Sequence, residues 1–186
     1  QNKTAVDMAV QSLKEAGRQL NRPFPIETLI KLQSFGYANE AKQMFLTHLQ
    51  KYLFHLSNPI AVARQGLTFC LSAGDVSSGL LVVRATLQNL HGMTEGIFLL
   101  RHFFDQILGS VRLEDLIMQD LTGLEEAVFI DWAGNKRDDP ECSLYLALYF
   151  LRQSNMDGAQ RLYELNKDKL SQSMHKVRFQ NNSSNL

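Results

Sequence analysis

The chain has 186 residues, with 19 Lys or Arg against 19 Asp or Glu and 45% hydrophobic composition. That balance excludes a uniformly basic nucleic-acid binder, which carries a cationic excess, and a solvated disordered chain, which carries net charge and few apolar residues. A chain of this length buries about 70% of the surface it exposes when unfolded, so one globular domain over residues 1–176 is expected, folding without a metal or a disulfide.

Apolar residues recur at three and four positions almost everywhere, with no sustained alternation, which predicts an all-α fold. Val6, Ala9, Val10, Leu13 and Ala16 form one face of a first helix, ended by the two prolines of Asn21-Arg22-Pro23-Phe24-Pro25. A short helix from about Ile26 to Phe35 follows. Gly36 and Tyr37 then lead into a longer helix with a buried stripe of Ala41, Phe45, Leu49, Tyr52, Leu53 and Leu56. Asn58-Pro59 stops that helix and starts the next, because Asn is a good N-cap and Pro at the first helical position loses no intrahelical bond. Gly74-Asp75, Gly92 and Gly109 punctuate the middle, Thr122 and Glu125 have capping-box spacing, and Asp139-Pro140 repeats the Asn-Pro arrangement. The last helix is predicted from Asp157 to about His175, and the polar residues 177–186 read as a disordered tail. About nine helices are expected.

Cys70 and Cys142 lie in apolar periodic segments and read as buried thiols, so a reducing intracellular compartment, cytoplasm or nucleus, is favoured. The chain opens Gln1-Asn2-Lys3 without a Met, as an excised piece of a longer protein would. Charge-free stretches such as Gln65 to Gly74 and Ala85 to Thr94 fall well short of the roughly 20 apolar residues that span a bilayer, so no membrane span is expected.

A weak internal repeat emerges when the turns are aligned. Gly36 is followed five and nine residues later by small Ala41 and apolar Phe45, Gly74 by Gly79 and Val83, and Ser154 by Ala159 and Tyr163, whereas at Gly109 the offsets give Glu114 and Met118 and only the second position keeps the pattern. A small residue there lets antiparallel helices approach closely, and an apolar residue one turn on locks them. Leu-x-x-x-Gly-Tyr-x-x-Glu-Ala-x-x-x-Phe at Leu32 to Phe45, and Gly-Ala-Gln-Arg-Leu-Tyr at Gly158 to Tyr163, resemble the helix-turn-helix units of tetratricopeptide-like and pentatricopeptide-like repeat proteins. The resemblance covers about half the chain, without the early aromatic or a helix-ending proline at constant offset. It implies antiparallel hairpins stacked as a short irregular α-solenoid; the alternative is an irregular helical bundle.

Enzyme signatures are mostly lacking: no phosphate-binding glycine loop, no Gly-x-Ser-x-Gly and no His-Glu-x-x-His. His48 and His55 share a helix face but stand about 10 Å apart along it, too far for joint metal coordination. His102 and Asp105 could pair as acid and base, yet nothing supplies a nucleophile. No catalysis, metal or cofactor is expected.

Charge is segmented. Through Arg64 the chain carries a surplus of four positive charges, the middle carries minus six, and from Lys136 onward the balance is plus two. Glu114, Asp115, Asp120, Glu125, Glu126 and Asp131 face a single Arg112 over Leu113, Leu116, Ile117 and Leu121 in helical phase, so these acids should gather on one exposed surface that steers a basic partner. Ile97 to Leu108 is apolar on nearly every side, and Phe98 and Phe104, with Phe129 and Trp132, are candidates for a hydrophobic strip that anchors an amphipathic partner helix. The expected function is a non-catalytic scaffold or docking module within a larger intracellular assembly. The alternative is a helical-repeat RNA-binding module using the basic N-terminal third, with Tyr37 or Tyr52 available for stacking.

Overall fold

The computed structural model describes residues 2–55, 58–136 and 139–161, with 163, 164 and 167, and among them every regular element is helical. The expected tail over 177–186, the second half of the last expected helix, Leu56 and the side chain of His55 lie outside the described residues. The helices are α1 (Asn2–Leu20), α2 (Ile26–Ser34), α3 (Ala38–Thr47), α4 (Leu49–His55), α5 (Pro59–Ser72), α6 (Val76–Gln88), α7 (Met93–Ser110), α8 (Leu113–Ile117), α9 (Leu124–Asn135) and α10 (Pro140–Arg152). An eleventh helical segment opens at Met156. Among the described residues eleven helical segments therefore stand where about nine were expected. One added break falls inside the long helix expected after Tyr37: at His48 the backbone leaves helical geometry (φ −121°, ψ 27°), separating α3 from α4. None of the described helices is long and apolar enough to cross a membrane.

The helix starts follow the capping chemistry. Asn58 accepts from the Ala61 amide at 3.2 Å ahead of Pro59, and Asp139 accepts from the Glu141 and Cys142 amides at 2.9 and 3.4 Å ahead of Pro140. Three turns share one further geometry. Gly36, Gly74 and Ser154 adopt left-handed φ values of 91°, 71° and 58°. In each turn the amide of the left-handed residue bonds three residues back, Gly36 to Gln33, Gly74 to Leu71 and Ser154 to Leu151. The next amide bonds five residues back, Tyr37 to Leu32, Asp75 to Cys70 and Asn155 to Phe150, completing a Schellman motif. The small residue five positions beyond each turn, Ala41, Gly79 or Ala159, is buried. Gly109 departs from the pattern because it lies inside α7 and not at a turn.

The chain divides into two compact units, the first through Val111 and the second from Arg112. In the first, α2 pairs with α3 and α5 with α6, α3 packs on α5, and α7 lies on both α5 and α6. Its core is built from fully buried Leu29, Phe45, Leu67, Phe69, Phe103 and Phe104. Phe45 sits directly on the backbone of α5: a Cβ built at Gly66 would stand 2.3 Å from Cε1 of that ring. The ring is held in place by stacking on Tyr52 at 5.2 Å and by an edge contact with Phe69 at 5.7 Å. Tyr52 in turn donates from its hydroxyl to the Phe24 carbonyl, and burial pushes that phenol up to about 12.

Polar bonds connect the two hairpins of this unit. Gln33 Nε2 donates to Ser72 Oγ at 2.8 Å, and Lys42 Nζ, on a side chain only 10% exposed, reaches Asp75 Oδ2 at 2.8 Å. Asp75 also caps α6, accepting from the Ser78 amide at 2.9 Å and the Ser78 hydroxyl at 2.6 Å. Burial alone would raise the Asp75 pKa. The hydrogen bonds from Lys42 and Ser78, with the Lys42 charge, outweigh burial and hold the carboxyl below its ordinary value. In the second unit α10 packs on α8 and α9, with Phe129 meeting Tyr149 edge-on at 5.2 Å and Trp132 at 6.3 Å.

Four substitutions test these contacts. Gly66→Ala gains about 1 kcal/mol of helix propensity but forces the immobilised Phe45 ring to move, so a net loss of about 1–3 kcal/mol is expected by thermal or urea unfolding. Gly134→Ala, where an added Cβ meets nothing within 4 Å, should instead gain about 0.5–1 kcal/mol. Asp75→Ala removes a cap and strands a buried ammonium, an expected loss of about 3 kcal/mol. Because the folded Asp75 pKa is depressed, its contribution is complete above the unfolded carboxylate pKa of about 3.9 and fades as pH falls through the folded value. Asp75→Asn should flatten that acid limb of the stability profile.

Candidate functional site

The six central acids do not form one exposed face. Glu125 turns inward and is 6% exposed, because α9 starts only after Gly123 in a left-handed conformation (φ 52°) and the Glu125 carboxylate bends back to accept from the Thr122 amide at 3.3 Å. The capping-box spacing was therefore the stronger signal at this position. Glu114 pairs with Arg112 at 2.9 Å, and Asp120 pairs with Arg152 at 3.0 Å. Asp131 is exposed and accepts from Asn135 at 3.5 Å, Glu126 is half-buried near Tyr149, and Asp115 is half-buried on α8.

The aromatic candidates divide as sharply. Phe104, Phe129 and Trp132 are at most 4% exposed and belong to the cores of their units, so they offer no anchor to a partner; Phe98 is 57% exposed on α7. Helices apolar all round bury most of their circumference, and only packing decides which sector is left over.

In the second unit that sector lies on α10. Its inner face buries Cys142, Ser143, Leu146 and Tyr149, while Leu144, Leu148 and Leu151 are 42%, 40% and 44% exposed. Their offsets of four and three residues put them in one row along the helix. Beside that row is an acid-rich corner. Burial pushes the Tyr145 phenol up, and Glu114, Glu141 and Asp115 push it further, with Arg112 opposing, so carboxylates of α8 and α10 converge around this ring. Arg152 closes the other end of α10, donating from Nη1 to the Ile117 carbonyl and to the Gln119 carbonyl at 3.2 Å, and from Nη2 to Asp120. It thereby satisfies carbonyls at and just past the end of α8 that the helix leaves open. Sequence reasoning missed Glu141, Leu144, Tyr145 and Leu148; the only signal was a segment with leucines on both faces.

No family model, curated protein or solved structure matches this chain.

Three basic side chains of the N-terminal third, and one of its two candidate stacking rings, are engaged within the fold. Lys42 is buried on Asp75, Lys14 lies 3.5 Å from Glu40, and Lys51 reaches the Asn21 carbonyl at 3.4 Å. Tyr52 is 5% exposed and cannot stack on a base, while the Tyr37 hydroxyl donates to Asp7, a bond that raises its pKa. His102 is half-buried; burial and the nearby Arg64 charge lower its pKa against the opposing effect of Asp105. Cys70 and Cys142 are buried and not in a disulfide, and burial pushes the Cys70 thiol up to about 12, the setting of an unreactive cysteine. Among the described residues no group of three or more His, Cys, Asp or Glu side chains is placed to hold a metal.

The Tyr149 hydroxyl is buried beside Glu126 without hydrogen-bond geometry to any partner, and burial, then the Glu126 carboxylate, raises its pKa. Tyr149→Phe should therefore leave stability unchanged or raise it by up to about 1 kcal/mol. A loss above about 1 kcal/mol in urea unfolding would mean that the hydroxyl is bonded to Glu126 in solution.

Proposed function

We propose that the chain is a non-catalytic protein-interaction module, a short irregular array of helix hairpins that acts as a scaffold subunit or segment of a larger intracellular assembly. The recurring left-handed turns, each followed by a buried small residue, support the repeat character, as do the Gln33–Ser72 and Lys42–Asp75 bonds between hairpins of the first unit. The occupant is an amphipathic helix with a basic flank, seated on α10 with its apolar face along Leu144, Leu148 and Leu151. Its cations lie toward Glu114, Asp115 and Glu141.

The carrying observation is the exposed leucine row on a helix whose opposite face is core. Covering three leucines that are each about two-fifths exposed is worth about 2–3 kcal/mol in total, a contribution of the size that a small set of anchors makes to an interface. The neighbouring carboxylates add orientation and association rate more than affinity. RNA binding by the N-terminal third is the weaker reading, since Tyr52 and Lys42 are engaged within the fold.

Leu144→Glu combined with Leu148→Glu should leave the circular dichroism spectrum and unfolding midpoint near those of the parent while abolishing partner capture. Glu114→Lys combined with Glu141→Lys should chiefly slow association and flatten its salt dependence, read by surface plasmon resonance against the captured partner. Retention of every captured protein by the double leucine variant would overturn the assignment of α10.

A further inference from the structure

The first unit carries a second surface with the opposite charge. A groove of about 460 Å³ opens between α1 and α3. Its cationic rim is Lys14 and Arg18 on α1, one helical turn apart, and Arg22 just beyond the end of that helix. Phe24 and Met44 supply its apolar lining, which we call its floor, among the polar side chains of Asn39, Gln43, Thr47 and His48. The floor depends on a close approach: a Cβ built at Gly17 would stand 3.0 Å from Cε2 of Phe24, so the ring lies flush against the α1 backbone because that position has no side chain. One acid, Glu40, projects into the groove and lies 3.5 Å from Lys14.

We propose that this groove binds an acidic peptide segment of a protein partner, with carboxylates along the Lys14–Arg18–Arg22 rim and one apolar side chain on the Phe24–Met44 floor. Three features select that occupant. The cations follow one another along α1 and just past its end, an order that several carboxylates of one peptide segment can match. The floor accepts an apolar side chain, which a sugar-phosphate backbone does not offer. Glu40 would meet a continuous phosphate backbone as a like charge, whereas a peptide can place an uncharged residue opposite it. Arg18 pairs with exposed Glu15 at 3.9 Å, and its side chain is 79% exposed, so it can turn to a ligand at little cost. The leucine row of α10 takes a basic helix; this groove takes an acidic strand or turn, and the two proposals stand on different residues.

The test uses the full chain and three fluorescent probes: a 12-residue peptide of Asp and Glu around one central Leu, its Asn and Gln counterpart, and a 12-nucleotide single-stranded RNA of mixed sequence. Fluorescence anisotropy at about 50 and 200 mM salt should show saturable binding of the acidic peptide, weakened at the higher salt, and at least tenfold weaker binding of the amide counterpart. Arg18→Glu with Arg22→Glu, both at exposed positions, should weaken the acidic peptide about tenfold or more with an unchanged unfolding midpoint. Met44→Ser should weaken it while leaving the salt dependence intact. The proposal is overturned if the acidic peptide shows no saturable binding at 50 mM salt, if the double reversal leaves its affinity unchanged, or if RNA binds more tightly and is lost in that same variant.

Discussion

Phe45 resting on Gly66 is the contact around which the first unit is organised. Its ring occupies the space that any side chain at position 66 would need, and Tyr52 and Phe69 hold it from two other directions. Interiors packed at crystalline density transmit such constraints: α3 lies as close to α5 as a ring on a bare backbone allows. The Tyr52 hydroxyl carries the constraint to the proline-rich segment at Phe24, whose ring lies under the groove beside α1. Core packing and the shape of a candidate binding surface are thus connected through three aromatic residues.

A polar bond completes what that contact begins. Lys42 could not be buried without a counter-charge, and Asp75 supplies it from the turn of the next hairpin while also capping α6. One carboxylate therefore terminates a turn, starts a helix and fixes one hairpin against its neighbour. The Schellman turns at Gly36, Gly74 and Ser154 make the local reversal repeatable, but contacts such as Lys42–Asp75 decide which hairpin lies beside which.

The surfaces left over have opposite characters. In the second unit, α10 presents leucines beside a carboxylate-rich corner; in the first, a cationic groove opens over an apolar floor. A chain with no net charge presents both because its charges are segregated along the sequence, and at physiological salt each field reaches only about 8 Å.

Local rules were legible in the sequence because they involve residues a few positions apart: the all-helical pattern, the Asn58-Pro59 and Asp139-Pro140 starts, the Gly36 and Gly74 turns, and the burial of both cysteines. Exposure around an apolar helix is a long-range property and was not legible. Phe98 and Phe104 are six residues apart on α7, yet one is exposed and the other fully buried. Glu125 reads as one more surface acid and is instead folded back on the Thr122 amide, while Leu144 and Leu148, which nothing in the spacing distinguishes from core leucines, lie at the surface. Helical periodicity states that a residue lies on an apolar stripe; which stripe is covered depends on neighbours distant in sequence. That is why composition and spacing determined the elements and their turns, and only tertiary packing decided which side chains remain for a partner.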